Sequence, residues 1–236
     1  QYPGKTKTSA MTDQELKNLA IAKHNAKEVE NTTETKVYDF PTEIVELPSK
    51  GKLYPKESPL SKGTIEMKYM TAKEEDILTN QSFIKQGVVL DKLFRSLIVT
   101  PCEYNDLLIC DKNAIMIAAR ILGYGKDYPI KVNNPTTNEE IEYVVDLTKL
   151  KEREIDWSLL NKGVNEFDFK FPASEREVKL KILTHRDQRQ IDKETKGLAK
   201  LKKQATTTTM LKHVIVELDG ERDGGKIRNF VDNHLL

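Results

Sequence analysis

The run NAIMIAARILGYG, residues 113–125, constrains this chain more than any other stretch. Ile115, Met116, Ile117, Ala118, Ala119, Ile121 and Leu122 wrap most of the circumference of a helix beginning near Asp111. A helix that is apolar all round belongs at the centre of a fold, so the expectation is a buried helix with other elements packed around it. Gly123 and Gly125 supply its stop. Beyond residue 126 the period changes from helical to extended. KDYPIKV and IEYVVDL then read as a β-hairpin, with a loop at residues 133–138.

The elements around that helix follow from periodicity. Residues 37–47 read as extended, broken at Pro41. In IVELPSKGKLYP (44–55), Pro48, Gly51 and Pro55 set the direction of a rigid corner. Only Leu53 and Tyr54 have side chains there suited to burial. They either dock on a partner or fold back on their own core, and local packing is the stronger reading. TIEMKYM (64–70) alternates Ile65, Met67 and Tyr69 against Glu66 and Lys68, the pattern of a half-buried strand. Thr71 with Glu74 is a capping box opening a helix whose acidic first turn suits the helix dipole. Residues 87–99 are an amphipathic helix ended by Pro101. NEFDFKFP and REVKLKILT alternate as two strands paired through the PASE turn. From Thr184 the chain reads as helical again, with TTTT (206–209) either breaking that segment or continuing it as a packed turn. KIRNFVDNHLL is a final helix.

The fold class is therefore α+β: central buried helices, an antiparallel β-hairpin region, an extended N-terminal arm and C-terminal helices. Three regions are expected. Residues 1–36 are a flexible arm with a thin amphipathic helix opened by a Thr12/Glu15 capping box. Residues 37–184 are an α+β core domain with β-hairpins, and 185–236 are a basic helical C-terminal region. Gln1 and the NFVDNHLL end, which lacks a helix stop signal, point to processed or truncated termini. No signal peptide is visible, and no apolar run reaches the ~18 residues of a membrane span.

Chemistry is sparse. Two cysteines, Cys102 and Cys110, fit neither a zinc site nor a disulfide scaffold, and read as reduced thiols of an intracellular protein. GYGKDY lacks phosphate-loop spacing and follows a helix where a strand is required. No G-x-S-x-G occurs, and the four histidines are dispersed. His185-Arg186-Asp187 matches a kinase tripeptide, but no glycine-rich loop or D-F-G accompanies it. The chain is read as a non-enzyme, with no catalytic residue, cofactor or metal.

A net charge of +1 makes any electrostatic argument local. Cations concentrate in residues 186–212. Arg186, Arg189, Lys193, Lys196, Lys200, Lys202 and Lys203 are candidates for contact with an acidic protein surface, against the plainer reading of a solvated helix face. A rival reading is a nucleic-acid-binding module that adds the Phe167/Phe169/Phe171 strand as a stacking surface. An apolar strand face on a core is the stronger reading for those aromatics.

Several segments occur in a telling order: VELPSKGKLYP, GTIEMKYMTAKEEDILTN, GVVLDKLFRSLI, DLLICDKNAIMIAARILGYGKDY and VVDLTKL. This series resembles the baseplate hub protein family of T-even-type contractile-tailed phages (myoviruses), a hub subunit or hub-assembly protein. The resemblance covers residues 40–150 well and the rest loosely. MTAKEEDILTN and DKNAIMIAARILGYG are its most distinctive parts. Relatives often carry a Cys-x-x-Cys knuckle in the hairpin after the Tyr-Gly turn. Here that place reads VNNPTTNEE, so the hairpin is kept without the metal. The resemblance implies a structural protein of the tail baseplate, in the virion and assembled in the host bacterial cytoplasm. Its partners are other phage baseplate or tail proteins, with copies of itself among them, and neither nucleic acid nor membrane. The alternative within the family is a dissociating assembly chaperone absent from the virion.

Overall fold

The computed structural model describes residues 41–235, apart from 152, 158, 159, 161, 203 and 204. The expected arm, 1–36, lies outside the described residues, as does Lys203. Strand β1 (Thr42–Glu46) pairs antiparallel with β2 (Thr64–Lys68), placing Val45 opposite Ile65 and Glu43 opposite Met67. The corner between them is a closed structure. The Leu47 N–H donates to Gly63 O at 2.9 Å. A 3₁₀ turn (Pro59–Lys62) is capped by the Ser58 side chain and ends at Gly63 in the left-handed region.

Three short helices follow: α1 (Ala72–Thr79), α2 (Gln81–Gln86) and α3 (Val89–Leu97). The long α4 (Ile109–Tyr124) comes next, then the ribbon of β3 (Asp127–Asn133) and β4 (Glu140–Asp146). Asn134 closes the ribbon's loop, accepting the Thr136 N–H on its side chain at 2.9 Å. Strands β5 (Phe167–Lys170) and β6 (Glu177–Leu180) pair through the expected turn, with Phe169 opposite Val178. Helices α5 (His185–Lys200) and α6 (Thr206–Val214) lead into β7 (Ile215–Leu218), and α7 (Gly224–Asn233) closes the described chain. The chain is thus mixed α+β, with seven α-helices and small antiparallel sheets among the described residues.

Two apolar clusters hold these elements. The larger joins the corner (Leu47, Leu53, Tyr54, Leu60) and β2 (Ile65, Met67) to α3 and α4 through Leu93, Phe94, Leu97, Ile115 and Ala119. The smaller packs Val178, Ile215 and Leu218 of the three-stranded sheet on Ile227, Phe230 and Val231 of α7.

Three expectations need correction, and one open alternative is decided. Strand β2 buries Ile65 and Met67, but Tyr69 lies past its end and is exposed. The buried neighbour is Lys68, drawn in by the fully buried Glu74 at 2.7 Å. Helix α4 is buried along one stripe, Asp111, Ile115 and Ala119, and not all round; Met116 is 42 % exposed. Its apolar girth exceeds what the other described elements cover. The segment after Thr184 is two helices, with TTTT as the first turn of α6, where the Thr209 hydroxyl donates to Ala205 O at 2.7 Å. Finally, IVEL (215–218) is a strand, because β6 offers it an open edge, with Val178 opposite Leu218.

Candidate interaction site

Leu53 and Tyr54 are each 4 % exposed, buried in the chain's own core. As partner-binding candidates they are corrected by that burial: neither presents a side chain to a neighbour. The Tyr54 hydroxyl donates to Asp111 Oδ2 at 2.6 Å and accepts the Leu108 N–H at 3.0 Å. Ser49 adds its N–H to Oδ1 at 2.9 Å and its hydroxyl to Oδ2 at 2.7 Å. Burial, and then the Asp111 charge, push the Tyr54 phenol far above its ordinary value, so it remains a donor. The same two causes push the neighbouring Cys110 thiol up to about 12, which leaves it unreactive. Sequence reasoning missed Asp111, although an acidic residue at the start of an apolar helix was the available signal.

A second polar cluster, partly buried, joins α3, α4 and α5. Lys112 Nζ donates to Asp91 Oδ1 at 2.9 Å, and the Tyr104 hydroxyl to the same oxygen at 3.0 Å. Lys112 Nζ also lies 3.1 Å from His185 Nδ1. An ammonium can only donate, so Nδ1 accepts and the ring proton belongs on Nε2. Nε2 sits 3.3 Å from Asp91 Oδ2, but off the line of a hydrogen bond. Burial, then the Lys112 charge, lower the His185 pKa and keep the ring neutral. The cluster ties the start of α5 to the main core. No group of His, Cys, Asp and Glu among the described residues has the arrangement of a metal site.

The basic candidates are brought together. Arg186, Arg189, Lys193, Lys196 and Lys200 line one groove of about 1150 Å³ between α5 and the start of α3, with Lys112 beneath them. The carboxylates on its wall are Asp91 and Asp192. Arg186 pairs with Asp106 at 2.7 Å. Arg189, Lys193, Lys196 and Lys200 close no salt bridge with another described residue. Lys202 is exposed just past the helix, outside the groove. The phenylalanine row is no stacking platform: Phe167 packs on the main core and Phe171 on the smaller one, where it meets Phe230 at 5.7 Å. Only Phe169 is largely exposed.

A second surface was not anticipated. Side chains paired across an antiparallel ladder share a face. In the β3–β4 ribbon one face therefore carries Tyr128 and Val145, Ile130 and Tyr143, Val132 and Ile141, all apolar. The other carries Lys131 opposite Glu142 and Asn133 opposite Glu140. Most of the apolar face stays open among the described residues: Tyr143 is 61 % exposed, Tyr128, Val132 and Ile141 are also exposed, and Ile130 and Val145 are half-buried. Tyr128 further lines an apolar hollow of about 410 Å³ with Leu90, Met116 and Tyr124, so the ribbon face continues onto the open side of α4. The ribbon root is fixed by Lys126, which pairs with Asp127 and Asp146 at 3.0 Å each, and by Arg120 over the Tyr128 ring at 5.5 Å.

No described helix is long and apolar enough to cross a membrane. No curated protein and no solved structure matches the chain. A family model described as T4 bacteriophage base plate protein matches residues 40–221, extending well beyond the segment of clearest resemblance and taking in the main core, the ribbon, the basic groove and the three-stranded sheet, and stopping short of α7. Matched over most of its length by that model, the chain belongs to the T4 bacteriophage base plate protein family.

Proposed function

We propose that this baseplate structural protein is a component of the hub and acts in tail assembly through contacts with other baseplate or tail proteins. It performs no turnover, and it is carried into the contractile-tailed virion after assembly in the host bacterial cytoplasm. The observation that carries this reading is the continuous apolar surface from Met116 and Tyr124 to Tyr143 and Ile141. An apolar surface of that kind marks an interaction site. A two-stranded ribbon alone is marginally stable, so a neighbouring baseplate subunit packed on its apolar face completes it. The hub assignment rests on the ordered segments from VELPSKGKLYP to VVDLTKL.

Mass spectrometry of purified virions tests the reading. Peptides from this chain at a fixed ratio to other baseplate proteins are expected. Their absence from mature particles, with presence in assembly intermediates, would replace the structural role with that of a dissociating chaperone.

A further inference from the structure

We propose that the exposed face of α5 is a docking rail for a helix of another baseplate protein that presents carboxylates at alternating three- and four-residue spacing. The proposal rests on the reading that the chain works through protein contacts, and it names the chemistry of one partner.

Arg186, Arg189, Lys193, Lys196 and Lys200 follow one another at steps of three, four, three and four residues, and all five are exposed. That spacing places side chains on one straight stripe of a helix, as in the seam of a coiled coil. From Arg186 to Lys200 the stripe runs about 21 Å, at 1.5 Å per residue. The seam positions of α5 are thus cationic where a self-pairing coiled coil would be apolar. The helix is held to the body by Ile191, buried on the side away from the stripe, and at its start by buried His185, whose N–H donates to Leu107 O at 2.8 Å.

Of the five cations only Arg186 is paired with another described residue, Asp106, and the acids of α5 itself are engaged by other groups. Asp187 caps α5 at Thr184 and pairs with Lys181 at 2.8 Å. Glu194 meets His213 at 3.2 Å. Asp192 accepts from Gln188 at 2.8 Å and is the one acid of α5 on the groove wall. Gly197 also lines the groove, and a Cβ placed there meets nothing within 4 Å. A glycine inside a helix weakens it, and here it leaves room for a partner backbone to come close.

The far wall decides between partners. It carries Gln86, Asp91 and Asn105 around a run of Val88, Val89 and Leu90; that run suits the apolar side of an amphipathic helix and gives a phosphate backbone no cation. Leu90 also lines the apolar hollow, so the groove opens onto the surface already described. An acidic amphipathic helix satisfies both walls at once.

The test uses the full chain and a fluorescent synthetic helix with Glu at three- and four-residue steps and Leu on the opposite side. The controls are a scrambled peptide of the same composition and single- and double-stranded DNA oligonucleotides. Anisotropy titrations should show the patterned helix binding at least tenfold tighter than the scramble and tighter than either DNA. K193E/K196E/K200E should reduce that binding at least tenfold while retaining the circular dichroism of the parent protein. If the triple variant misfolds, K196Q/K200Q should give a smaller loss in the same direction. Equal binding of patterned and scrambled peptides, tighter binding of DNA, or charge reversal without effect would each overturn the rail. The functional reading fails separately: baseplate co-assembly that survives charge reversal but is lost when the ribbon face is changed removes the rail alone.

Discussion

The Tyr54 hydroxyl and the Asp111 carboxylate meet at 2.6 Å in the main core, linking the corner between β1 and β2 to the first turn of α4. Both groups are buried, and Asp111 receives three donors from residues more than fifty positions earlier in the chain. The corner is therefore latched to the central helix, and its geometry follows from that latch.

Removing either end of the latch should destabilise the fold without altering its surface. Tyr54→Phe loses one bond to a charged acceptor and leaves the Leu108 N–H unsatisfied, for a cost of about 1–3 kcal/mol. Asp111→Ala strands three donors and should cost roughly 3 kcal/mol or more. Urea denaturation reads both, and a midpoint equal to that of the parent protein would contradict the latch.

Two glycines with nearly the same backbone should respond differently to alanine. At Gly51 (φ +70) a Cβ would lie 2.4 Å from Ser61 O and 2.5 Å from Gly63 N. At Gly87 (φ +68) it would meet nothing within 4 Å. Gly87→Ala should therefore cost only the left-handed penalty, about 1–2 kcal/mol. Gly51→Ala should cost clearly more, because backbone must move. Thermal melts of the two variants side by side check the ranking.

Glu74 should contribute a distinct step to acid unfolding. Burial pushes its carboxyl up, but donors from Lys68, Ser96 and Thr71 outweigh that and hold it at about 2, against an ordinary 4.5. A depressed carboxylate stabilises the fold fully above its unfolded pKa, and that share is lost as pH falls from 4.5 towards 2. Glu74→Gln should be less stable at neutral pH and lose less stability across that window. Urea midpoints taken through the window decide it; parallel curves for parent and variant would refute the assignment.

The ribbon face should be separable from the fold. Tyr143→Lys and Ile141→Lys change exposed side chains and should shift stability by no more than about 0.5 kcal/mol. Their co-assembly with other baseplate proteins should fall at least tenfold. Sedimentation of mixed baseplate proteins reads this, and full incorporation of both variants would count against the apolar face as a contact.

Much of the architecture was legible from periodicity. Ile65 and Met67 alternate, Thr71 and Glu74 share a capping box, and KDYPIKV with IEYVVDL reads as a hairpin; each depends on residues close in sequence. The first departures came where a distant partner changed the outcome. Lys68 reads as the solvent side of β2, yet Glu74 and Ser96 draw that corner inside. IVEL reads as part of a helix until the open edge of β6 is available to pair with it.

Local spacing and residue chemistry specify most of the helices and strands and the basic stripe spaced along α5, because those depend on neighbours close in sequence. Tertiary structure decided which sides of those elements stay open. The seven apolar residues of α4 predict burial all round, but a helix is buried only where other elements reach it, and here they cover one stripe. The apolar side chains of the ribbon align only in the register that pairs Ile130 with Tyr143. The five cations of α5 become a groove only because α3 stands opposite them. Contact surfaces are made of long-range neighbours, which spacing along a chain cannot specify.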